Sequence, residues 1–216
     1  MFIGHFALGF AAKRAAPRLS LAALFAAVAL ADMIWPVLVG LGVEQVRIDP
    51  GNTAFTPLDF VSYPYSHSLA LLCLWGIVFG LMCGGIIHDR RVVPLATALV
   101  VSHWVLDWIT HRPDMPLYPG SVKLGLGLWN SVPATVAVEA VMFATGVWLY
   151  ARGTRPRDSV GRWAFVAFVG LLLISYFAGI GAPPPSVTAL VATAIVGTGV
   201  ITLWAWWFDR HRMPVT

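Results

Sequence analysis

The chain has 216 residues, of which 58% are hydrophobic and only 11% are charged, and its mean hydropathy is +0.78. This composition is typical of an integral membrane protein and excludes an ordinary soluble domain. The formal net charge of +4 does not indicate nucleic-acid binding, because the basic residues fall in loops, as membrane topology requires. The continuous apolar runs predict one all-α domain over residues 1–216, a polytopic membrane helical bundle.

The first segment is apolar but too short to cross a membrane. Residues 1–12, MFIGHFALGFAA, precede Lys13 and Arg14. One interpretation is a half-helix over 1–14 that enters the bundle from the cytoplasmic side, which is tolerated only where it lines protein or a water-filled cavity. The other is an amphipathic helix that lies on the inner membrane surface. The residues alone favour neither.

Later segments of about the length of a membrane span cover residues 19–43, 66–88, 93–111, 128–150, 163–181 and 187–208. We therefore expect about six transmembrane helices. Eleven of the 14 Lys and Arg residues then fall on one side of the bundle. The positive-inside rule predicts that both termini are cytoplasmic. We expect the protein to be located in the inner (plasma) membrane of a bacterium.

The second span contains a stripe of small residues. Gly76, Gly80 and Gly84 recur every four residues, and such a stripe lets another helix approach closely. We expect it to pack another helix of the chain or to form a contact in a homo-oligomer.

The third span carries ionisable residues at helical spacing. In VSHWVLDWITHRPDMPLY, His103, Asp107 and His111 are four residues apart and so lie on nearly one face of a helix. Ionisable residues within a span are costly, and they are therefore candidates for a functional site. His111 and Asp114 fall at the end of this helix and are possible accessory residues of the site, although an interfacial cap explains His111 equally well.

Further ionisable residues occur in or beside the other apolar segments: His5, Asp32, His67 and Glu139. A rise of about 1.5 Å per residue places four of the ionisable residues in one layer of the membrane, about 18 to 24 Å from the nearest cytoplasmic basic residues. They are Asp32, His103, Asp107 and Glu139. Buried carboxylates without Lys or Arg need protonation, water or a cation. Imidazole and carboxylate groups together are ligands for zinc, and also for manganese or iron. We therefore predict a divalent-metal site, and a structural polar network is the alternative.

At these residues the sequence resembles a known group. GHFALGF, the Asp of the first span, YSHS and SHWVLDWITH are similar to motifs of the YdjM-like family of membrane-bound metal-dependent hydrolases, over about the first 115 residues. The resemblance implies these metal ligands: His5, Asp32, His67, His103 and Asp107. It also favours a half-helix at the start of the chain. The first span reads ALADMIWP where the family often has Pro-Asp-x-Asp, which argues against two metals and makes Glu139 a replacement carboxylate.

Three functions fit this pattern. The first is a metal-dependent hydrolase that acts on a membrane lipid or a lipid-linked ester or phosphoester, with Asp107 or Glu139 as its catalytic base. The second is an ion- or proton-coupled transporter or relay. The third is a membrane scaffold in which the polar layer only specifies helix packing.

Overall fold

The computed structural model describes residues 1–215. Within this range it is an all-α bundle, and its helices are α1 Ile3–Ala12, α2 Leu21–Val28, α3 Leu30–Gly40, α4 Pro64–His67, α5 Leu69–Ile87, α6 Val92–Thr110, α7 Val132–Gly153, α8 Ser159–Gly179 and α9 Val187–Arg210. Three short antiparallel ribbons lie between them, and their strands are β1 Gln45–Ile48, β2 Leu58–Ser62, β3 Met115–Pro116, β4 Lys123–Leu124, β5 Thr154–Pro156 and β6 Arg212–Pro214.

Five helices, α5 to α9, are long and apolar enough to cross a membrane. A sixth span is formed by α2 and α3 together, which meet at an angle of 58°. The predicted all-α bundle of about six spans is therefore confirmed, and the chain is that of an integral membrane protein. The break at Ala29 between α2 and α3 was not predicted.

The first helix lies inside the bundle. Eight of the ten residues of α1 are buried, and Phe10 packs edge-on against Phe25, with ring centroids 4.9 Å apart. Gly146 of α7 lies against the backbone of Ala7, where a side chain would collide with the carbonyl group. Burial on almost every side fits the predicted half-helix and does not fit an amphipathic helix on a membrane surface.

A buried ion pair fixes the end of α1. The Nζ of Lys13 donates to the carbonyl oxygen of Leu19 and to Oδ2 of Asp209, at 2.7 Å in each case. Asp209 also accepts from the Tyr150 hydroxyl at 2.8 Å and from the Leu21 amide at 2.9 Å. The carboxylate at the end of α9 thus ties together α1, α2 and α7.

The glycine stripe of the second span packs two helices of the same chain. A Cβ at Gly80 would lie 2.7 Å from the carbonyl oxygen of Val93, and one at Gly76 would lie 3.1 Å from that of Thr97. Both acceptors belong to α6, so the stripe lets α5 and α6 approach closely. It is covered within the chain and offers no surface to a second copy.

The loop over residues 44–65 is packed against its neighbours. Its strands β1 and β2 pair with Ile48 opposite Leu58, and the amide of Phe55 donates to the carbonyl oxygen of Trp129 at 3.0 Å. The amide of Gly181 donates to the carbonyl oxygen of Phe55 at 2.8 Å. These contacts join three loops at one end of the bundle and fix the segment that carries Glu44.

Candidate metal centre

Side chains from four helices converge inside the bundle. Two overlapping groups have ligand atoms that all lie within 4.8 Å of one another: His5, His103 and Asp107 in one group, and Asp32, His67 and His103 in the other. The structure thus brings together all five residues that the sequence indicates as metal ligands. Their role as ligands stays a prediction.

The distances between these atoms suit a single ion. Oδ1 of Asp32 lies 3.6 Å from Nε2 of His67 and 3.8 Å from Nε2 of His103. Oδ2 of Asp107 lies 3.0 Å from Nε2 of His103 and 4.0 Å from Nε2 of His67. Zinc bonds of about 2.0–2.2 Å place tetrahedral ligand atoms about 3.3 Å apart. Each group of three is therefore within reach of one ion, and the two groups share His103, whereas no four ligand atoms of the described residues are grouped within 4.8 Å of one another.

The ligand side chains differ in exposure. The side chains of His67, His103 and Asp107 are at most 4% exposed, whereas that of Asp32 is 42% exposed. A substrate or an exchanging ion would therefore approach the cluster beside Asp32.

The carboxylates of Asp107 and Asp32 differ in their cationic partners. The amino group of Met1 pairs with Oδ1 of Asp107 and donates to the Thr110 hydroxyl at 3.3 Å. Asp32 is near imidazole rings only, and within residues 1–215 no Lys or Arg side chain forms an ion pair with either carboxylate. The sequence argument had counted side chains alone and had missed the amino group.

His103 carries a proton on Nδ1. Its Nδ1 lies 2.8 Å from the carbonyl oxygen of Val28, and since a carbonyl oxygen only accepts, Nδ1 is the donor. Nε2 faces Oδ2 of Asp107 at 3.0 Å, and it can bind an ion when the ring is neutral. Val28 is the last residue of α2, where helix carbonyl groups lack a partner in their own helix.

His5 lies flat against His103. The two ring centroids are 3.9 Å apart and the planes differ by 4°. Nε2 of His5 is 3.0 Å from Oδ1 of Asp107, whereas its Nδ1 is buried without a partner. Because a carboxylate only accepts, Nε2 of His5 donates to Asp107 in the absence of an ion, which leaves the electron pair on Nδ1.

His67 and His111 each have a partner on Nδ1 as well. Nδ1 of His67 lies 2.7 Å from the hydroxyl oxygen of Ser66, which donates to Glu44 at 2.6 Å. Nδ1 of His111 lies 2.9 Å from Oδ1 of Asp114. Such outer partners orient histidine ligands in metal sites.

His111 forms the edge of the cluster. Its Nε2 lies 3.8 Å from Oδ2 of Asp107, and the hydroxyl of Tyr63 donates to Asp114 at 2.6 Å. Burial and the Asp114 carboxylate raise the pKa of the Tyr63 phenol well above its usual value, so Tyr63 remains a donor. Arg112 pairs with Asp59 and lies 3.5 Å from Asp114. His111 and Asp114 are thus held beside the cluster, as accessory residues would be.

Glu139 lies outside both groups. Its Oε2 accepts from the backbone amides of Phe2 and Gly4, both at 3.0 Å. Amides at a helix N-terminus lack partners in the helix and favour a negative charge. Oε2 thus anchors α1, whereas Oε1 is buried without a hydrogen-bond partner among the described residues, and the role of catalytic base stays a prediction.

Sequence reasoning missed Glu44 and the carbonyl group of Val28. Glu44 stands in a mixed loop sequence, LGVEQVR, which looks like a solvated connection. A backbone carbonyl group leaves no signal in any sequence. The residues around a metal site are often of this kind, because they act on the ligands and not on the ion.

Comparison of the chain with protein-family models, with curated proteins and with solved structures found no match. The resemblance to the YdjM-like family stays a prediction from the motifs quoted above. The function is therefore argued from the site alone.

Proposed function

We propose that the protein is a metal-dependent hydrolase embedded in the membrane. It would hold one divalent ion, with zinc as the expected metal and manganese or iron as alternatives. The ligands would be Asp32, His67, His103 and Asp107, with His5 able to replace one of them.

One observation carries this proposal. The Nε2 atoms of His67 and His103 face two carboxylates at 3.0 to 4.0 Å, while each Nδ1 has a hydrogen-bond partner on its other side. Imidazole and carboxylate groups that face one another in this way are typical of metal sites. This convergence supports a bound ion over a purely structural network.

The chemistry that fits this donor set is hydrolysis. A divalent ion supplies a Lewis acid that polarises an ester or phosphoryl oxygen and makes water acidic enough to lose a proton near neutral pH. If Asp32, His67 and His103 hold the ion, Asp107 would be the base, because its Oδ2 lies 3.0 Å from Nε2 of His103 and so beside the ion. Asp32 is at the open side, where an arriving substrate would meet the cluster.

The site lies within a bundle of apolar helices, which supports an amphiphilic substrate. We propose an ester or phosphoester of a membrane lipid or of a lipid-linked molecule. We also propose a bacterial plasma membrane as the location, and the excess of basic residues on one side supports termini in the cytoplasm.

The metal content of the purified protein tests the proposal. We expect about one ion per chain in the wild type and almost none in His103→Ala, because both groups of candidate ligands include His103. The control is His88→Asn, since His88 lies outside the cluster and its φ of 55° suits asparagine. A wild type without metal, or His103→Ala with as much metal as the wild type, would contradict the proposal.

A second candidate function is a proton or ion relay. Asp107 lies 3.0 Å from His5 and His103, 3.8 Å from His111 and 4.0 Å from His67. Such a connected set of titratable groups within a membrane is typical of ion pathways. Flux in metal-free proteoliposomes that is lost in Asp32→Asn would favour the relay over the hydrolase.

A further inference from the structure

Glu44 is a buried carboxylate that touches no ion ligand directly. It is 1% exposed and lies in the loop between α3 and β1. Its Oε1 accepts from the amides of Tyr65 and Ser66 at 2.8 and 2.9 Å, and its Oε2 accepts from the Ser66 hydroxyl at 2.6 Å. Three hydrogen bonds from one short segment are more than an ordinary loop carboxylate makes.

These contacts determine the direction of the next hydrogen bond. A carboxylate only accepts, so the hydroxyl proton of Ser66 points at Glu44. The Ser66 oxygen is then left to accept, and the atom 2.7 Å away on its other side is Nδ1 of His67. His67 must therefore carry its proton on Nδ1, which leaves the electron pair of Nε2 facing Asp32 at 3.6 Å.

The order of the three groups differs from that of a hydrolytic triad. In a triad the histidine stands between the carboxylate and the serine, and it takes the proton of the serine. Here the serine stands between the carboxylate and the histidine, and its proton is directed away from His67. Ser66 is therefore not placed as a nucleophile.

We propose that Glu44 is a positioning residue that acts through Ser66 to hold His67 in the tautomer that can bind a metal. Its consequence for metal binding rests on the proposed function, whereas its effect on the tautomer does not. The signal could not be read from the sequence, because Glu44 lies 22 residues before Ser66 and belongs to no motif.

The variant Glu44→Gln tests this proposal because the side chain keeps its shape, while one accepting oxygen is replaced by a donating nitrogen. The amide oxygen of glutamine can still accept from the Tyr65 and Ser66 amides, so its nitrogen must face the Ser66 hydroxyl. That nitrogen donates, so the Ser66 proton turns towards His67 and requires an unprotonated Nδ1. His67 then carries its proton on Nε2, where the ion would bind.

The experiment uses metal-free protein in detergent with ¹⁵N-labelled histidine, at a pH where the rings are neutral. Imidazole nitrogen signals distinguish a protonated nitrogen from one with a free electron pair, and loss of a signal in His67→Asn assigns it to His67. We expect proton on Nδ1 in the wild type and on Nε2 in Glu44→Gln. In Ser66→Ala, where Nδ1 has lost its partner, we expect a mixture of both forms.

Zinc affinity is measured on the same samples by competition with a chelator. We expect Glu44→Gln to bind zinc about 10- to 100-fold more weakly than the wild type, as for other outer partners of histidine ligands. The control is Asp209→Asn, which also neutralises a buried carboxylate but lies at Lys13 and not at the cluster. It should lower stability and leave both the His67 signals and the zinc affinity unchanged.

The outcomes separate the two proposals. If the tautomer changes in Glu44→Gln and the wild type binds no metal, the role of Glu44 stands and the metal centre fails. If zinc binds and Glu44→Gln alters neither the tautomer nor the affinity, the role of Glu44 is refuted and the metal centre remains. If Glu44→Gln does not fold, an unchanged His67 tautomer in Ser66→Ala would refute the role.

Discussion

The carbonyl oxygen of Val28 lies 2.8 Å from Nδ1 of His103. The break in the first span therefore orients the histidine of α6. An uninterrupted helix would have used that carbonyl group for its own hydrogen bond, four residues on. The interruption at Ala29 therefore serves two purposes. It frees an acceptor for His103, and it turns the start of α3 so that Asp32 faces the cluster.

The two functions of His103, as hydrogen-bond donor and as ligand, can be separated by substitution. Asparagine can place its amide nitrogen near the position of Nδ1, whereas alanine cannot. We expect both His103→Asn and His103→Ala to lose the metal. His103→Ala should unfold more readily by about 1–3 kcal/mol, because it leaves the carbonyl group of Val28 buried without a donor.

Chemical denaturation of metal-free protein in detergent measures this difference. Metal content, measured on the same preparations, shows whether both variants have lost the ligand. Equal stability of the two variants would mean that the hydrogen bond to Val28 contributes nothing to the fold.

The two aspartates of the cluster should respond differently to neutralisation. Asp32 has a side chain that is 42% exposed, so Asp32→Asn should change the free energy of unfolding by no more than about 0.5 kcal/mol. Asp107 is buried between the Met1 amino group and two histidines, and Asp107→Asn should cost about 3–5 kcal/mol. Both variants should bind zinc at least about 10-fold more weakly than the wild type if both residues are ligands.

Zinc titration and denaturation of the two variants test this contrast. An Asp32→Asn protein with the zinc affinity of the wild type would remove Asp32 from the ligand set. An Asp107→Asn protein of unchanged stability would show that its buried contacts are not the ones described here.

The glycine stripe of α5 makes a prediction about packing. Gly80→Ala would place a methyl group 2.7 Å from the carbonyl oxygen of Val93, which belongs to the backbone and cannot turn aside. We expect α5 and α6 to separate slightly, at a cost of about 1–3 kcal/mol. Gly85 lies on the same helix with open space around its Cβ position, so Gly85→Ala should be neutral or stabilising by up to about 1 kcal/mol.

Thermal unfolding of both variants in the same detergent makes this comparison. A loss of stability in Gly85→Ala that matches the loss in Gly80→Ala would show that the close approach at Gly80 does not determine the result.

The predictable parts of the fold are those set by local composition. The spans follow from runs of apolar residues of the required length, and the close contact of α5 and α6 follows from glycines at every fourth position. The position of α1 did not follow, because a short apolar run suits both a surface helix and a buried one. Its burial in the bundle, including its packing against α7 at Gly146, distinguishes the two.

The sequence predicts the part of the site that consists of ionisable side chains at helical spacing. His103 and Asp107 occupy one face of α6 whatever the tertiary structure, and their cost in a membrane marks them as functional. The break at Ala29 gave no signal, since ALAD contains no proline or glycine. The contacts of Glu44 depend on the fold of a loop, which no local pattern determines.

The ion pair of Lys13 and Asp209 provides a further prediction. It is largely buried, with side chains 9% and 6% exposed, and the charged atoms are 2.7 Å apart. Removal of one partner leaves an uncompensated charge, so Lys13→Met and Asp209→Asn should each destabilise the protein strongly. The double variant should lose less than the sum of the two, with an interaction energy of about 1–3 kcal/mol.

The exposed pair of Arg18 and Asp89 is the matched control for this cycle. Its atoms are 3.4 Å apart and its side chains are 64% and 28% exposed. Water screens such a pair, so Arg18→Met, Asp89→Asn and their combination should give an interaction energy of at most about 1 kcal/mol. Both cycles are measured by denaturation at low and high salt, and only the exposed pair should weaken with salt. Equal interaction energies in the two cycles would mean that Lys13 and Asp209 are solvated, and that α1 is not held in the bundle by this contact.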